Sequence, residues 1–201
     1  MIKRFGDYEK TATYSDNTQL PRGGYVCKIL NVSQMNSAYG ASLKISFDIA
    51  EGDYKDYYLQ RYKANQNEDK KWSGTTLLNI PSDDGSEQDG WTKRKFKTFT
   101  TALEDSNPGY HFDWDEQKFI NKMIGFVFNY REYIGNDGAA HMTPNVAAST
   151  SIEKIRSGGF TIPKDRMQKT PIVAPTMPTA AAPNDTDFVI PDGIDDEVPW
   201  K

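Results

Sequence analysis

Cysteine and histidine are scarce. The 201 residues hold one cysteine, Cys27, and two histidines, His111 and His141. A lone thiol forms no internal disulfide and fits a reducing compartment. Two histidines and one thiol, far apart, do not supply a Cys/His zinc site. Each histidine lacks spaced partners and reads as a loop residue rather than a general base. Cys27 alternates with Tyr25 and Ile29 and reads as a core or half-buried thiol rather than a nucleophile. No Gly-rich GxxxxGK[ST] phosphate loop occurs. The longest strongly apolar run, Ile124–Phe128, is far too short to span a bilayer, and Met1-Ile2-Lys3-Arg4 leads into Phe5-Gly6-Asp7 without an apolar leader. These shortages predict a non-enzymatic cytoplasmic protein without cofactor, metal or membrane partner.

Charge and proline are unevenly spread. The net charge of −4 divides into −1 for residues 1–160 and −3 for residues 161–201, and the latter segment also holds seven of the eleven prolines. Pro171–Pro183 reads PIVAPTMPTAAAP, with neither helical nor strand periodicity. The expected organisation is a folded domain over 1–160, ending near Gly158-Gly159, and a disordered Pro-rich linker with an acidic tail over 161–201.

Within the domain, Leu43, Ile45, Phe47 and Ile49 alternate with polar residues, which predicts a strand with one buried face. Tyr25–Val32 reads as a strand before it, and Gln34–Gly40 as the loop between, with Tyr39 near its tip. Tyr57–Lys63 reads as a third strand. Residues 64–92 are polar and read as an insertion, with a short hairpin around Thr75–Ile80. Phe96, Phe99, Thr100 and Leu103 fall on one helical face, and Asn107-Pro108-Gly109 stops that helix. Asp113 and Glu116 suggest a capping box for a second short helix reaching Ile124. Gly125–Tyr133 returns to strand alternation, Gly135-Asn136-Asp137-Gly138 is a hairpin turn, and Asn145–Ile155 reads as a fifth strand. Three strands, a helical segment and two strands give the element order of the OB-fold, a mainly β, five-stranded Greek-key barrel with a helical insert that binds oligonucleotides.

Aromatic and basic residues interleave on these elements: Tyr57, Tyr58, Arg61, Tyr62 and Lys63; Trp91, Lys93, Arg94 and Lys95; Tyr130, Arg131 and Tyr133. With Tyr39 they form the expected nucleic-acid contact set. Rings stack on bases at about 1–3 kcal/mol each, and lysine and arginine follow phosphates. The competing assignment gives many of these rings to the core and the cations to a solvated face. Asp83, Asp84, Glu87 and Asp89 cluster, but without the spacing of a calcium loop.

The tail ends Asp195-Asp196-Glu197-Val198-Pro199-Trp200-Lys201. Carboxylates steer toward a basic rim while a large ring fills a pocket, so this is a portable docking peptide. The tip resembles that of bacterial single-stranded DNA-binding proteins, with Glu197 where aspartate is usual, Trp200 where phenylalanine is usual, and Lys201 extra. Leu20–Tyr25, Gly125–Gly138 and Ile152–Gly158 make the body similar to phage and mobile-element OB-fold single-stranded DNA-binding proteins. The resemblance implies a protein that coats single-stranded DNA during phage replication or recombination in a bacterial host cell. It also implies that Asp195, Asp196, Glu197, Val198, Pro199 and Trp200 recruit replication or recombination proteins. Assembly into a homo-oligomer stays open. The rival expectations are a protein-interaction adaptor on an OB-like barrel and, more remotely, a metal-dependent nuclease using the Asp83–Asp89 cluster.

Overall fold

Alternation of apolar residues builds the sheet. In β2 (Gly40–Ile49) every second residue from Leu43 to Ile49 is buried, and β1 (Gly23–Ser37) faces it antiparallel with Cys27, Ile29 and Val32 turned the same way. Ile29 and Val32 are three apart and would point to opposite faces of a regular strand. A register shift at Leu30 inserts one extra residue and brings both to the core. β4 (Met123–Ile134) pairs with the other edge of β1 and adds Ile124, Phe126 and Phe128. β5 (Ala140–Thr150) pairs with β4, and β3 (Thr75–Asn79) pairs with β2. The result is a five-stranded antiparallel sheet in the order β3-β2-β1-β4-β5. The computed structural model describes residues 19–37 and 40–168, plus Lys3 and Gly6. Tyr39 and the tail residues Asp195, Asp196, Glu197, Val198, Pro199 and Trp200 lie outside the described residues.

Helix α2 (Glu87–Ser106) lies against the core through Phe99, Ala102 and Leu103. Its start is capped by Ser86, whose side chain accepts from Asp89 N, 3.1 Å away. Asn107 staples its end to β4, donating to Leu103 O and Met123 O at 2.7 Å and accepting from Met123 N at 3.0 Å. Phe47, on β2, holds the centre of the core, with Phe126 at 4.9 Å and Tyr58 at 5.5 Å between ring centroids. Helix α3 (Ile152–Arg156) packs on the opposite face of β1 and β4, where Gly24 and Gly125 leave room for it. A Cβ at either position would come within 2.7 Å of Ile155.

Five segments depart from the sequence reading. Tyr57–Lys63 is not a strand: helix α1 (Tyr57–Ala64) occupies it. Its aromatic enrichment suggests a strand, but Tyr58 and Tyr62 are spaced i, i+4. The preceding Asp56 is left-handed and makes no side-chain cap. Asp48, ten residues before Tyr58, takes that part, accepting from Tyr58 N and Leu59 N at 3.0 Å and from Ile49 N at 2.8 Å. Residues 64–92 are no simple insertion, since they contain β3 and the first turns of α2. The hairpin expected around Thr75–Ile80 is a single edge strand, β3, paired with β2, and only its Leu78 is buried. The second helix shrinks to a 3-10 turn, Glu116–Phe119, capped by Asp115, while Asp113 pairs with Lys118. The fifth strand begins earlier than Asn145 and stops at Thr150. Ser151 then caps α3, accepting from Lys154 N at 3.4 Å. The loop assigned to Gln34–Gly40 is largely strand, because β1 runs to Ser37 and β2 starts at Gly40.

The body also continues past Gly158-Gly159. Beyond Phe128 the edge of β4 has lost β1 as partner, and residues 164–168 take the vacancy in parallel. Arg166 N donates to Tyr130 O at 2.8 Å and Glu132 N to Arg166 O at 2.9 Å. Asp165 accepts from Tyr130 N at 3.0 Å and pairs with Arg22, whose guanidinium holds that carboxyl below its ordinary range. Removing this clasp with Asp165→Ala should lower amide-exchange protection at Arg166 and Glu132 by about tenfold, as expected for a locally opening edge. The thermal midpoint should hardly move, and unchanged protection would show that the backbone pairing suffices alone.

Candidate functional site

The 3.6-residue period of α2 sorts its side chains into three rows. Phe99, Ala102 and Leu103 face inward. Trp91, Arg94, Lys95 and Thr98 form one flank, and Lys93, Phe96, Lys97 and Glu104 the other. The first flank borders a cleft of about 310 Å³ between β3 and β5, the two edge strands of the sheet, which do not pair with each other. Phe99, Phe126 and Val146 are among the residues lining it. At its mouth stand two exposed apolar side chains, Trp91 at 57% and Leu77 at 53%. The Arg94 guanidinium carbon lies 5.1 Å from the Trp91 ring centroid, and Lys95 is exposed beside it. No carboxylate lines the cleft among the described residues. An uncovered ring, two cations and an apolar recess are what a stacked base and its phosphates require.

The other expected contact residues do not join this site. Tyr58 is a core residue, 6% exposed, packed edge-on to Phe47, and burial pushes its phenol up. Tyr57 and Arg61 form a structural clasp: the Tyr57 hydroxyl accepts from Leu20 N at 3.0 Å and from Arg61 Nη1 at 2.9 Å. Tyr62 packs against Trp72 with Lys70 above its ring, 4.7 Å from the centroid. Lys63 is exposed near the end of α1. Lys93 is no free cation. It pairs with Asp83 and, at 2.8 Å, with Asp89, and these two carboxylates raise its pKa.

On β4, Tyr130 shares the face of Phe128, under the Arg22 guanidinium at 4.4 Å. Arg131 and Tyr133 are on the reverse face of that strand, where Tyr133 lies 5.6 Å from the His141 ring. His141 in turn contacts Asp137 at 2.9 Å. The twelve of these residues that are described therefore do not line one continuous trough. Trp91, Arg94 and Lys95 come together, Arg131 and Tyr133 make a second exposed patch, and Tyr57, Tyr58 and Arg61 serve the fold.

The acidic cluster has a structural explanation. Asp89 accepts from Ser82 N at 2.9 Å and Asp83 N at 3.1 Å, and Lys93 holds its carboxyl low. Asp84 accepts from Ser86 N at 2.8 Å. These carboxylates close the turn before α2, and no group of three potential metal ligands occurs among the described residues. Cys27 is fully buried, which pushes its thiol pKa well above the ordinary value.

Two exposed apolar residues escaped the sequence reading. Leu77 belongs to β3, the strand found where a short hairpin was expected. Trp114 sits in a polar stretch, Asp113-Trp114-Asp115, and is 82% exposed with a left-handed φ of 70°. That conformation costs a bulky residue of order 1–3 kcal/mol. The only sequence signal for it is a tryptophan flanked by two aspartates.

No helix among the described residues is long and apolar enough to cross a membrane. Comparison with known proteins finds no matching family model and no curated relative.

Proposed function

We propose that this is a non-enzymatic single-stranded DNA-binding protein on an OB-like barrel. It would coat DNA during phage or mobile-element replication or recombination in the cytoplasm of a bacterial host. The strand order, with α2 between β3 and β4, supports an OB-like arrangement left open between β3 and β5. The single observation that carries the reading is the exposed Trp91 under Arg94, with Lys95 beside it, at an apolar cleft free of carboxylates. The acidic tip, Asp195 to Trp200, recruits partner proteins in this proposal and takes no part in holding the strand.

Titration of labelled oligo-dT by fluorescence anisotropy tests the proposal. If about three phosphates are neutralised, a fourfold rise in salt should weaken binding by roughly tenfold to twentyfold. Absence of binding at low salt would remove the proposal.

A second reading has its own observation. Several cations are spent on ion pairs within the body rather than kept for phosphates: Arg22 on Asp165, Lys93 on Asp83 and Asp89, Lys118 on Asp113, Arg156 on Glu51. This favours a protein-interaction adaptor without a nucleic-acid role. An adaptor keeps its partner when Arg94 and Lys95 are both changed to glutamate, whereas a strand-binding protein loses oligo-dT.

A further inference from the structure

Helix α2 has a second flank, and its chemistry is opposite to the first. Phe96 meets Phe112 at 5.8 Å and Phe112 meets Trp114 at 5.3 Å between ring centroids, a short ladder of rings. The ladder borders a groove of about 760 Å³ whose lining also includes Gln34 and Leu43 of the β1–β2 hairpin. Trp114 is the most exposed large apolar side chain among the described residues.

The charges around this ladder are mostly negative. Asp83, Glu104 and Glu116 line the groove, against Lys93 and Lys97. Lys93 is already committed to Asp83 and Asp89, and Lys118 to Asp113 and Asp115. Glu104 lends one oxygen to Phe112 N at 2.8 Å and has another to offer. Counting both sides of the rings, six carboxylates stand against three lysines. A phosphate chain is repelled by such a surplus, while a cation is drawn to it and to the face of an uncovered indole.

We propose that this groove is a protein-docking surface that takes a basic, apolar-anchored segment of a partner. An aliphatic or aromatic anchor lies on Phe96 and Phe112. A neighbouring lysine or arginine covers Trp114 and reaches Glu116. The charge complementarity selects this occupant over nucleic acid, and the site is independent of the Trp91 cleft, so the inference stands apart from the proposed DNA-binding role.

A random peptide library displayed on phage, panned against the full chain, tests it. Trp114→Asn serves as the counter-target, since asparagine accepts the left-handed backbone and an exposed ring adds little to stability. An unchanged thermal midpoint verifies that the variant is folded. The expected winners place lysine or arginine next to an aromatic or aliphatic residue. As synthetic peptides they should lose affinity by about tenfold or more on Trp114→Asn and on Glu116→Lys, yet bind Trp91→Ala normally. Oligo-dT binding should be the same on the wild-type chain and Trp114→Asn. Winners indifferent to Trp114→Asn, acidic or uncharged winners, or no enrichment overturn the proposal. So does a loss of oligo-dT affinity on Trp114→Asn, which would give the groove to the strand.

Discussion

The double variant Trp91→Ala, Arg94→Ala should bind oligo-dT roughly a hundredfold more weakly than the wild-type chain. A stacked ring is worth about 1–3 kcal/mol per base, and each ~1.4 kcal/mol is tenfold in affinity. Loss of the Arg94 charge removes a phosphate contact as well and should flatten the salt dependence by nearly one counterion. Both side chains are exposed, so the variant should unfold close to the wild-type temperature. That separates a binding defect from a folding defect. The paired comparison is Arg131→Ala, Tyr133→Ala on the β4–β5 arm, which should cost far less. If the arm variant loses affinity and the α2 variant keeps it, the strand runs along the arm and the cleft is not its site. Arg61→Ala belongs in the same series. It opens the clasp that holds Tyr57 against Leu20 and should move the unfolding midpoint more than the affinity.

The largest stability effect is expected from Asp48→Ala. This carboxylate is 6% exposed and accepts three backbone N–H groups, two of them at the start of α1. Asp56 gives that helix no side-chain cap, so alanine at 48 leaves buried donors without acceptors and removes the tie between α1 and β2. Orphaned buried donors cost about 1–3 kcal/mol each, and partial relaxation brings the expected total to about 3–5 kcal/mol. Asp48→Asn keeps one acceptor oxygen and should cost less. Denaturant unfolding at fixed pH measures both, and equal midpoints for the two variants would show that the acceptor oxygen kept by asparagine holds none of the three donors, against this account.

The same residue shapes the pH dependence. Burial raises the Asp48 pKa against the pull of its three donors. Between the ordinary carboxylate value and the raised one, the folded chain keeps a proton that the unfolded chain has released. Its contribution to stability therefore falls as pH rises through that window, and Asp48→Asn should abolish this part of the slope. Asp89 and Asp165 act in the reverse sense, because their partners depress their values. The stability they give is present above the unfolded value and lost as pH falls through the depressed one.

Strands β2 and β4 were legible in the sequence because large apolar residues on the core face alternate with smaller or polar ones. That period of two survives although the second face of β4 is also covered as far as Asn129. The inner face of α2 was legible for the matching reason. β3 was legible only as part of a short hairpin around Thr75–Ile80, since an edge strand with one buried residue carries little pattern. α1 was misread because its cap comes from Asp48, and local propensity cannot register an acceptor supplied by another strand. The pairing of residues 164–168 with β4 is equally non-local. Of the candidate site, Trp91, Arg94 and Lys95 were found together because one helix turn holds them. The neutralisation of Lys93 depends partly on Asp83, ten residues earlier, and only the folded turn discloses it. Tyr130 and Arg131 were grouped by composition, although their adjacency on a strand already sends them to opposite sides.

The pairing of residues 164–168 with β4 also sets a mooring point. Whatever follows Gln168 departs from beside Tyr130 and the β4–β5 arm rather than from the end of α3. A partner recruited there, as proposed above, would be presented at that corner, and loosening Asp165 would shift the point of departure back toward α3.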